Sequence, residues 1–179
     1  TTVAAAQSPA AGMMGAASAP DVGTTAPDFT ATWADASGTR PAPVHLAGLR
    51  GKVVVLAFFP LDRSSGCTAE MHKFRDDYTK IFGDRAGTDV VVLPISIDTL
   101  AEHAAWAKDD HLPFALVSDP EQKVSKLYAS TMTGRPYDSR TVFVIDRAGK
   151  ITYRNLKFGA LSEQAYTDLT NEIAKAKGM

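Results

Sequence analysis

Two largely apolar runs stand out in the hydrophobic pattern, at positions 53–59 and 90–97, the second interrupted by Ser96. Both are rich in β-branched side chains, which is typical of strands buried on both faces of a sheet. The apolar residues between the runs recur at helical spacing and predict a helix that begins near Cys67. They are Met71, Phe74, Tyr78, Ile81 and Phe82. The pattern therefore predicts a strand–helix–strand unit at the centre of the fold.

Weaker patterns flank this unit. Residues 29–33 read as a short edge strand, and residues 44–46 as a returning strand, so we expect an N-terminal β-hairpin. Residues 140–155 hold two alternating runs joined by the turn sequence DRAGK, which predicts a second hairpin. Residues 112–119 are expected to be extended.

Three further helices are predicted. Thr99 and Glu102 are spaced as a capping box at the start of a helix over residues 98–110. Pro120 is expected to open a helix over residues 120–129. A last helix is capped by Ser162 and turns its apolar side inward. That side carries Ala165, Leu169 and Ile173. The element order predicts a mixed α/β layer fold with a central sheet and helices on its faces.

Composition fits one ordinary globular domain. The chain has 179 residues, of which 22% are charged and 45% hydrophobic, with a formal net charge of −1. No basic block is present, so we predict no nucleic-acid partner and no membrane partner. The longest apolar run is too short to span a bilayer. We expect a monomer or a homodimer.

The first residues differ from the rest. Residues 1–20 are small and nearly uncharged, and VAAAQ is similar to the A-x-A end of a signal peptide. We therefore predict a flexible tail over residues 1–24, a domain over residues 25–179, and a periplasmic or secreted protein. The alternative is a low-complexity tail on a cytoplasmic protein.

Cys67 is the only cysteine. An intrachain disulfide, a CxxC redox pair and a multi-cysteine zinc site are thereby excluded. The four histidines are His45, His72, His103 and His111, and none shows HExxH or other close ligand spacing. We predict neither a metal nor a cofactor.

Two interpretations compete for Cys67. A free cysteine is commonly a small buried hydrophobe. Cys67, however, follows a strand and a Ser/Gly loop at the start of a helix, where the helix dipole and unpaired N–H groups favour the thiolate. Its neighbours over residues 62–65 are polar. The carboxyl end of a strand is also where open α/β folds place their sites.

The sequence PLDRSSGC resembles the peroxiredoxin signature Pro-x-x-x-Thr/Ser-x-x-Cys, with Pro60, Ser64 and Cys67 in register. APDFT, LRGKVVVLAFFP, CTAEMHKFRDDY and SRTVFVIDRAGKI follow the same order as in the AhpC/TSA family, bacterioferritin-comigratory (Q-type) branch. The resemblance runs from about Ala26 to the end of the chain. It implies a thioredoxin-like fold, with a central mixed β-sheet, helices on both faces and an N-terminal β-hairpin.

The resemblance also implies roles. Cys67 would be the peroxidatic nucleophile, Ser64 would offer its hydroxyl, and Pro60 would shield the pocket. Arg140 would be the site arginine, and Glu70 would support it. Each partner of Cys67 also has a simpler interpretation. Arg140 could be a surface arginine, and Ser64 a loop residue or helix cap. Pro60 could be a strand terminator, and Glu70 an acid that suits a helix N-terminus.

Many Q-type relatives carry a resolving cysteine five residues after the first, where this chain has His72. We therefore expect a one-cysteine mechanism. Cys67 would reduce hydrogen peroxide or organic hydroperoxides, and an external thiol such as thioredoxin, glutaredoxin or glutathione would reduce the sulfenic acid.

Other functions remain open at this point. A thiol-disulfide oxidoreductase of thioredoxin fold would need a CxxC pair, and a copper-delivery protein would need CxxxC, so both are disfavoured. A non-catalytic interaction or chaperone-like protein with an inert cysteine is the third alternative.

Overall fold

The two apolar runs form neighbouring strands in the middle of one sheet. The computed structural model describes residues 18–83 and 88–178. Its strands are β1 Thr30–Asp35, β2 Gly38–Thr39, β3 Val44–His45, β4 Val53–Phe58, β5 Val90–Ser96, β6 Leu116–Ser118, β7 Thr141–Ile145 and β8 Ile151–Asn155. Its helices are α1 Ser65–Asp76, α2 Tyr78–Phe82, α3 Leu100–Asp109, α4 Lys123–Leu127 and α5 Glu163–Ala176, with a 3₁₀ turn at Leu46–Leu49.

The sheet is mixed. Its order is β2-β1-β6-β5-β4-β7-β8, and β3 pairs with β1 outside this path. Strand β5 runs parallel to both β4 and β6, whereas β7 is antiparallel to β4 and to β8. Strands β1 and β3 pair antiparallel and form the predicted N-terminal hairpin, and the short strand β2 lies within the predicted loop. The expected edge position of the first strand is wrong, because β1 also pairs with β6.

Alternate residues of β4 face two separate apolar clusters, and all six are buried. Val53, Val55 and Ala57 pack with residues of α1, α2, α3 and α5. Val54, Leu56 and Phe58 pack with the 3₁₀ turn and α4 on the opposite face. A strand covered on both faces has no polar side, which explains its unbroken apolar sequence. The predicted mixed α/β sheet with helices on both faces is confirmed.

Two predicted helices have different bounds. The helix expected from Cys67 onward begins at Ser65 and is interrupted at Asp77, where φ is −101° and ψ is 22°. The helix expected from Pro120 begins only at Lys123, because Gln122 has a left-handed backbone with φ of 53°. Asp119 caps it instead: its carboxylate accepts the backbone N–H groups of Lys123 and Ser125.

The capping box is confirmed: the Thr99 hydroxyl accepts the N–H of Glu102, and the Glu102 carboxylate accepts the N–H of Thr99. Ser162 caps α5 as predicted, with its hydroxyl accepting the N–H of Ala165.

Most of the predicted tail, residues 1–17, lies outside the described residues. Within residues 18–24, the guanidinium of Arg154 in β8 donates to the carbonyls of Ala19 and Pro20. The boundary near residue 25 stays a prediction. Among the residues described, no helix is long and apolar enough to cross a membrane.

Candidate active site

Cys67 lies in the first turn of α1, directly after the loop that leaves β4. Ser64, the residue before the helix, has an extended backbone, and its carbonyl accepts the N–H of Thr68. Cys67 is fully buried within the cluster that α1 forms with the sheet. Its sulfur therefore lies at the positive end of a twelve-residue helix and away from bulk water.

Arg140 comes to Cys67 from a different part of the chain. It precedes β7, and Thr141 pairs with Phe58 at the end of β4, so the sheet register brings the two segments together. The Arg140 Nη2 donates to Cys67 Sγ at 3.4 Å. The backbone of Arg140 is held by the N–H of Phe158, which donates to its carbonyl at 3.0 Å.

Glu70 is the second partner of the guanidinium. It stands one helical turn after Cys67, is fully buried, and accepts Nη1 of Arg140 through Oε2. Among the described residues, its other oxygen, Oε1, has no hydrogen-bond partner. Burial raises the pKa of Glu70 to about 7, although Arg140 acts in the opposite direction. Near neutral pH the carboxyl is therefore partly protonated.

Gly66 makes room for Arg140, a constraint that the sequence does not reveal. A Cβ atom on Gly66 would lie 3.1 Å from Arg140 Nη2, which is closer than nearly all such contacts. The position before Cys67 therefore favours a residue without a side chain. The S-S-G-C sequence shows the glycine, but only the fold shows what approaches it.

Ser64 and Pro60 lie in the loop on the approach to Cys67. Both are half-buried. Ser64 is the N-cap residue of α1, yet its side chain makes no capping hydrogen bond. The hydroxyl is therefore not committed to the helix end. The structure thus brings Cys67, Glu70 and Arg140 into direct contact and puts Ser64 and Pro60 in the adjoining loop.

His72, at the resolving-cysteine position, points to α3. Its Nε2 lies 2.9 Å from the Asp110 carboxylate, which also accepts the indole N–H of Trp106 at 2.6 Å. Its side chain is 37% exposed. Through this contact with Asp110, His72 joins α1 to the end of α3.

A second polar pair lies below the loop. Asp62 and His103 are buried, and their carboxylate and Nδ1 atoms are 2.8 Å apart. Neither residue was expected from the sequence to have a role. The available signal was an aspartate between Pro60 and Ser64. In the described ranges 18–83 and 88–178, no group of three or more His, Cys, Asp or Glu side chains could hold a metal ion.

Comparison with known proteins connects this geometry to a family. The AhpC/TSA family pattern matches residues 22–154. Peroxiredoxin Q, chloroplastic, of Triticum aestivum is 40% identical over 116 residues, which are 62% of this chain and 49% of that protein. Peroxiredoxin Bcp of Bacillus subtilis is 30% identical over 137 residues, which are 73% of this chain and 82% of that protein. The chain thus spans about half the length of the wheat relative and most of the bacterial one.

A solved structure shares the fold. The crystal structure of a PrxQ mutant from Xylella fastidiosa superimposes with a TM-score of 0.72 at 20% identity, covering 89% of this chain and 99% of that one. The predicted thioredoxin-like architecture and the resemblance to the Q-type branch are confirmed. The chain belongs to the AhpC/TSA family.

Proposed function

We propose that this chain is a thiol-dependent peroxidase that uses Cys67 as its peroxidatic nucleophile. The observation that supports this most directly is the Arg140 guanidinium at 3.4 Å from Cys67 Sγ, at the N-terminus of α1. A fixed cation beside a buried sulfur favours the thiolate, which is the nucleophilic form. An inert buried cysteine has no need of a charged partner.

In the proposed reaction, the Cys67 thiolate attacks one oxygen of the peroxide. An S–O bond forms, the O–O bond breaks, and the leaving oxygen takes a proton and departs as water or an alcohol. Arg140 stabilises the thiolate and the charge on the leaving oxygen. The Ser64 hydroxyl holds the peroxide in line, and Pro60 shields the pocket. Glu70 orients the guanidinium.

The sulfenic acid on Cys67 is reduced by an external thiol, since the chain has no second cysteine. A thiolate attacks the sulfenic sulfur, an S–S bond forms and the S–O bond breaks, and the leaving hydroxide takes a proton and departs as water, which gives a mixed disulfide. A second thiol then releases Cys67. We propose thioredoxin, glutaredoxin or glutathione as the reductant, and hydrogen peroxide or organic hydroperoxides as the substrates. We also propose that the protein is a monomer or a homodimer. The composition of residues 1–24 is the ground for proposing that it is exported.

The test is single-turnover oxidation of the reduced protein by hydrogen peroxide, followed by peroxide loss and intact mass. The wild type is expected to gain one oxygen, and Cys67→Ser none. Arg140→Ala is expected to slow oxidation by about 10²-fold, because a preorganised donor is lost. Arg147→Ala is the matched control. Arg147 is an exposed arginine in the β7–β8 turn that pairs with Asp89, and its loss should leave the rate unchanged.

Two outcomes would contradict the proposal. If wild type and Cys67→Ser both leave peroxide untouched, the chain is a non-catalytic interaction protein. If Arg140→Ala reacts at the wild-type rate, Cys67 reacts without the help of the guanidinium.

A further inference from the structure

Both ring nitrogens of the buried His103 face hydrogen-bond acceptors. Its Nδ1 lies 2.8 Å from the Asp62 carboxylate, and its Nε2 lies 3.1 Å from the carbonyl of Val117 in β6. The side chains of His103 and Asp62 are 0% and 5% exposed. Water therefore cannot readily replace either contact.

The geometry sets the number of protons on this pair. A neutral imidazole has one N–H group, so beside an ionised carboxylate it can satisfy only one of the two contacts. Both contacts are satisfied when the pair holds one further proton, either on the ring or on the Asp62 carboxyl. Among the described residues, the Asp62 Oδ1 atom is buried without a partner, which makes a full charge there costly.

The surroundings favour retention of that proton. Burial raises the pKa of Asp62, although His103 acts in the opposite direction. The other charged groups that face Asp62 in the described part of the chain are Asp98, just after β5, and Glu102 on α3. Both are acids and act in the same direction as burial. Phe59 and Trp106 provide the apolar neighbours of this region.

The pair is tied to the loop that carries the reactive end of α1. Asp62 stands two residues before Ser64, and its backbone N–H donates to the Asp98 carboxylate at 2.8 Å. The next residue, Arg63, has a left-handed backbone with φ of 59°, which is strained for a side chain of this size. The backbone and side-chain contacts of Asp62 therefore hold a conformation that the loop would not keep alone.

We propose that Asp62 and His103 are a positioning pair for the peroxidatic loop, and that they hold Ser64 and Cys67 in the reactive arrangement only while the pair retains its extra proton. When that proton is lost at alkaline pH, two acceptors face each other and the loop is released from α3. The reaction of Cys67 with peroxide then slows. This inference rests on the proposed peroxidase function.

Two substitutions at Asp62 distinguish the loss of its hydrogen bond to His103 from the loss of its titratable carboxyl group. In Asp62→Asn, the side-chain amide can donate to Nδ1 of a neutral His103 while Nε2–H still donates to Val117. Both contacts survive without a titratable carboxyl. In Asp62→Ala the first contact is lost. The matched control is Asp109→Ala, which removes an exposed ion pair to Arg63 in the same loop.

The measurement is the rate constant for Cys67 oxidation by hydrogen peroxide, taken over roughly pH 5 to 9, the range in which a histidine pair can titrate. We expect Asp62→Ala to be slower by about 10²-fold near neutral pH, as displaced reacting groups cause. Asp62→Asn should retain most of the wild-type rate and lose the alkaline decline. Asp109→Ala should follow the wild type throughout.

Several results would overturn the inference: an Asp62→Ala rate equal to that of the wild type, equal losses in the Asn and Ala variants, or an alkaline decline that persists in Asp62→Asn. If Asp62→Ala fails to fold, the pH profiles of Asp62→Asn and wild type still decide. Nuclear magnetic resonance of the ring nitrogens and the carboxyl carbon counts the protons independently of activity, and an ionised Asp62 beside a neutral His103 at neutral pH would contradict the proposal. A wild type that never reacts with peroxide would instead remove the proposed function itself.

Discussion

At the scale of single residues, the properties of Glu70 are determined by burial. Glu70 is the sixth residue of α1 and lies beyond the first turn, where the helix dipole no longer favours a carboxylate appreciably. The fold surrounds it completely, and burial raises its pKa from 4.5 to about 7. In the described part of the chain, the contact with Arg140 is the interaction that offsets the cost of burying this carboxyl.

This shift predicts a pH dependence of stability. Because the raised pKa lets the folded chain bind a proton that the unfolded chain releases, the free energy of unfolding contributed by Glu70 is largest below about pH 4.5. It falls as pH rises to about 7 and is constant above that. The shift corresponds to at most about 3 kcal/mol. In urea unfolding measured at several pH values, the free energy of unfolding of Glu70→Gln should lack this decrease with pH.

The matched control for that experiment is Glu163→Gln, because Glu163 is an exposed glutamate in the first turn of α5. The free energy of unfolding of Glu163→Gln, plotted against pH, should run parallel to that of the wild type. If the difference between wild type and Glu70→Gln does not change between acid and neutral pH, Glu70 is ionised throughout and the role given to burial is wrong.

At the scale of elements, the C-terminus of α3 joins α1 to the rest of the fold. The Asp110 carboxylate accepts the indole N–H of Trp106 and lies 2.9 Å from His72 Nε2. The Asp110 carbonyl accepts Nη1 of Arg75 at 2.7 Å. Where Q-type relatives carry a resolving cysteine, this chain has a histidine that connects α1 to α3. The position therefore supports the packing of α1 and supplies no thiol.

We predict that Asp110→Ala lowers the free energy of unfolding by about 1–3 kcal/mol, because the buried indole N–H of Trp106 loses its acceptor. The neighbouring Asp109→Ala should cost less than about 1 kcal/mol, since its ion pair with Arg63 is exposed. Urea unfolding followed by tryptophan fluorescence measures both. Equal effects of the two substitutions would show that the Asp110 contacts do not hold α1.

At the scale of the whole molecule, folding both buries Cys67 and supplies its cation. Cys67 is 0% exposed, and Arg140, whose guanidinium donates to its sulfur, is 73 residues away in sequence. Folding should therefore change the rates at which Cys67 reacts with a small peroxide and with a bulkier alkylating agent in opposite directions. Folding should accelerate the first reaction and hinder the second.

This prediction is tested by measuring the reactions of hydrogen peroxide and iodoacetamide with Cys67 in native and urea-unfolded protein. We expect folding to increase the peroxide rate and decrease the alkylation rate. In Arg140→Ala, the gain for peroxide should be largely lost while the protection from alkylation remains. Acceleration of both reagents by folding would mean that the fold only exposes and activates a thiol, without selecting peroxide.

The sequence by itself determined most of the elements and the position of Cys67 among them, because these depend on local order. Largely apolar runs predicted β4 and β5, the spacing of Thr99 and Glu102 predicted a capping box, and Cys67 followed a strand at the start of a helix. The resemblance named Arg140 and Glu70, but no pattern in the sequence states that their side chains touch.

Tertiary structure decided the features that depend on residues distant in sequence. The interruption of the predicted helix at Asp77 and the cap that Asp119 gives to α4 follow from backbone conformations that periodicity does not encode. Asp62 and His103 are 41 residues apart, and each looks ordinary in its own segment. Burial raises the pKa of both Asp62 and Glu70, and burial is a property of the packed chain. The sequence therefore indicates candidate residues such as Cys67 and Arg140, whereas the distances between side chains and their burial are set by the fold.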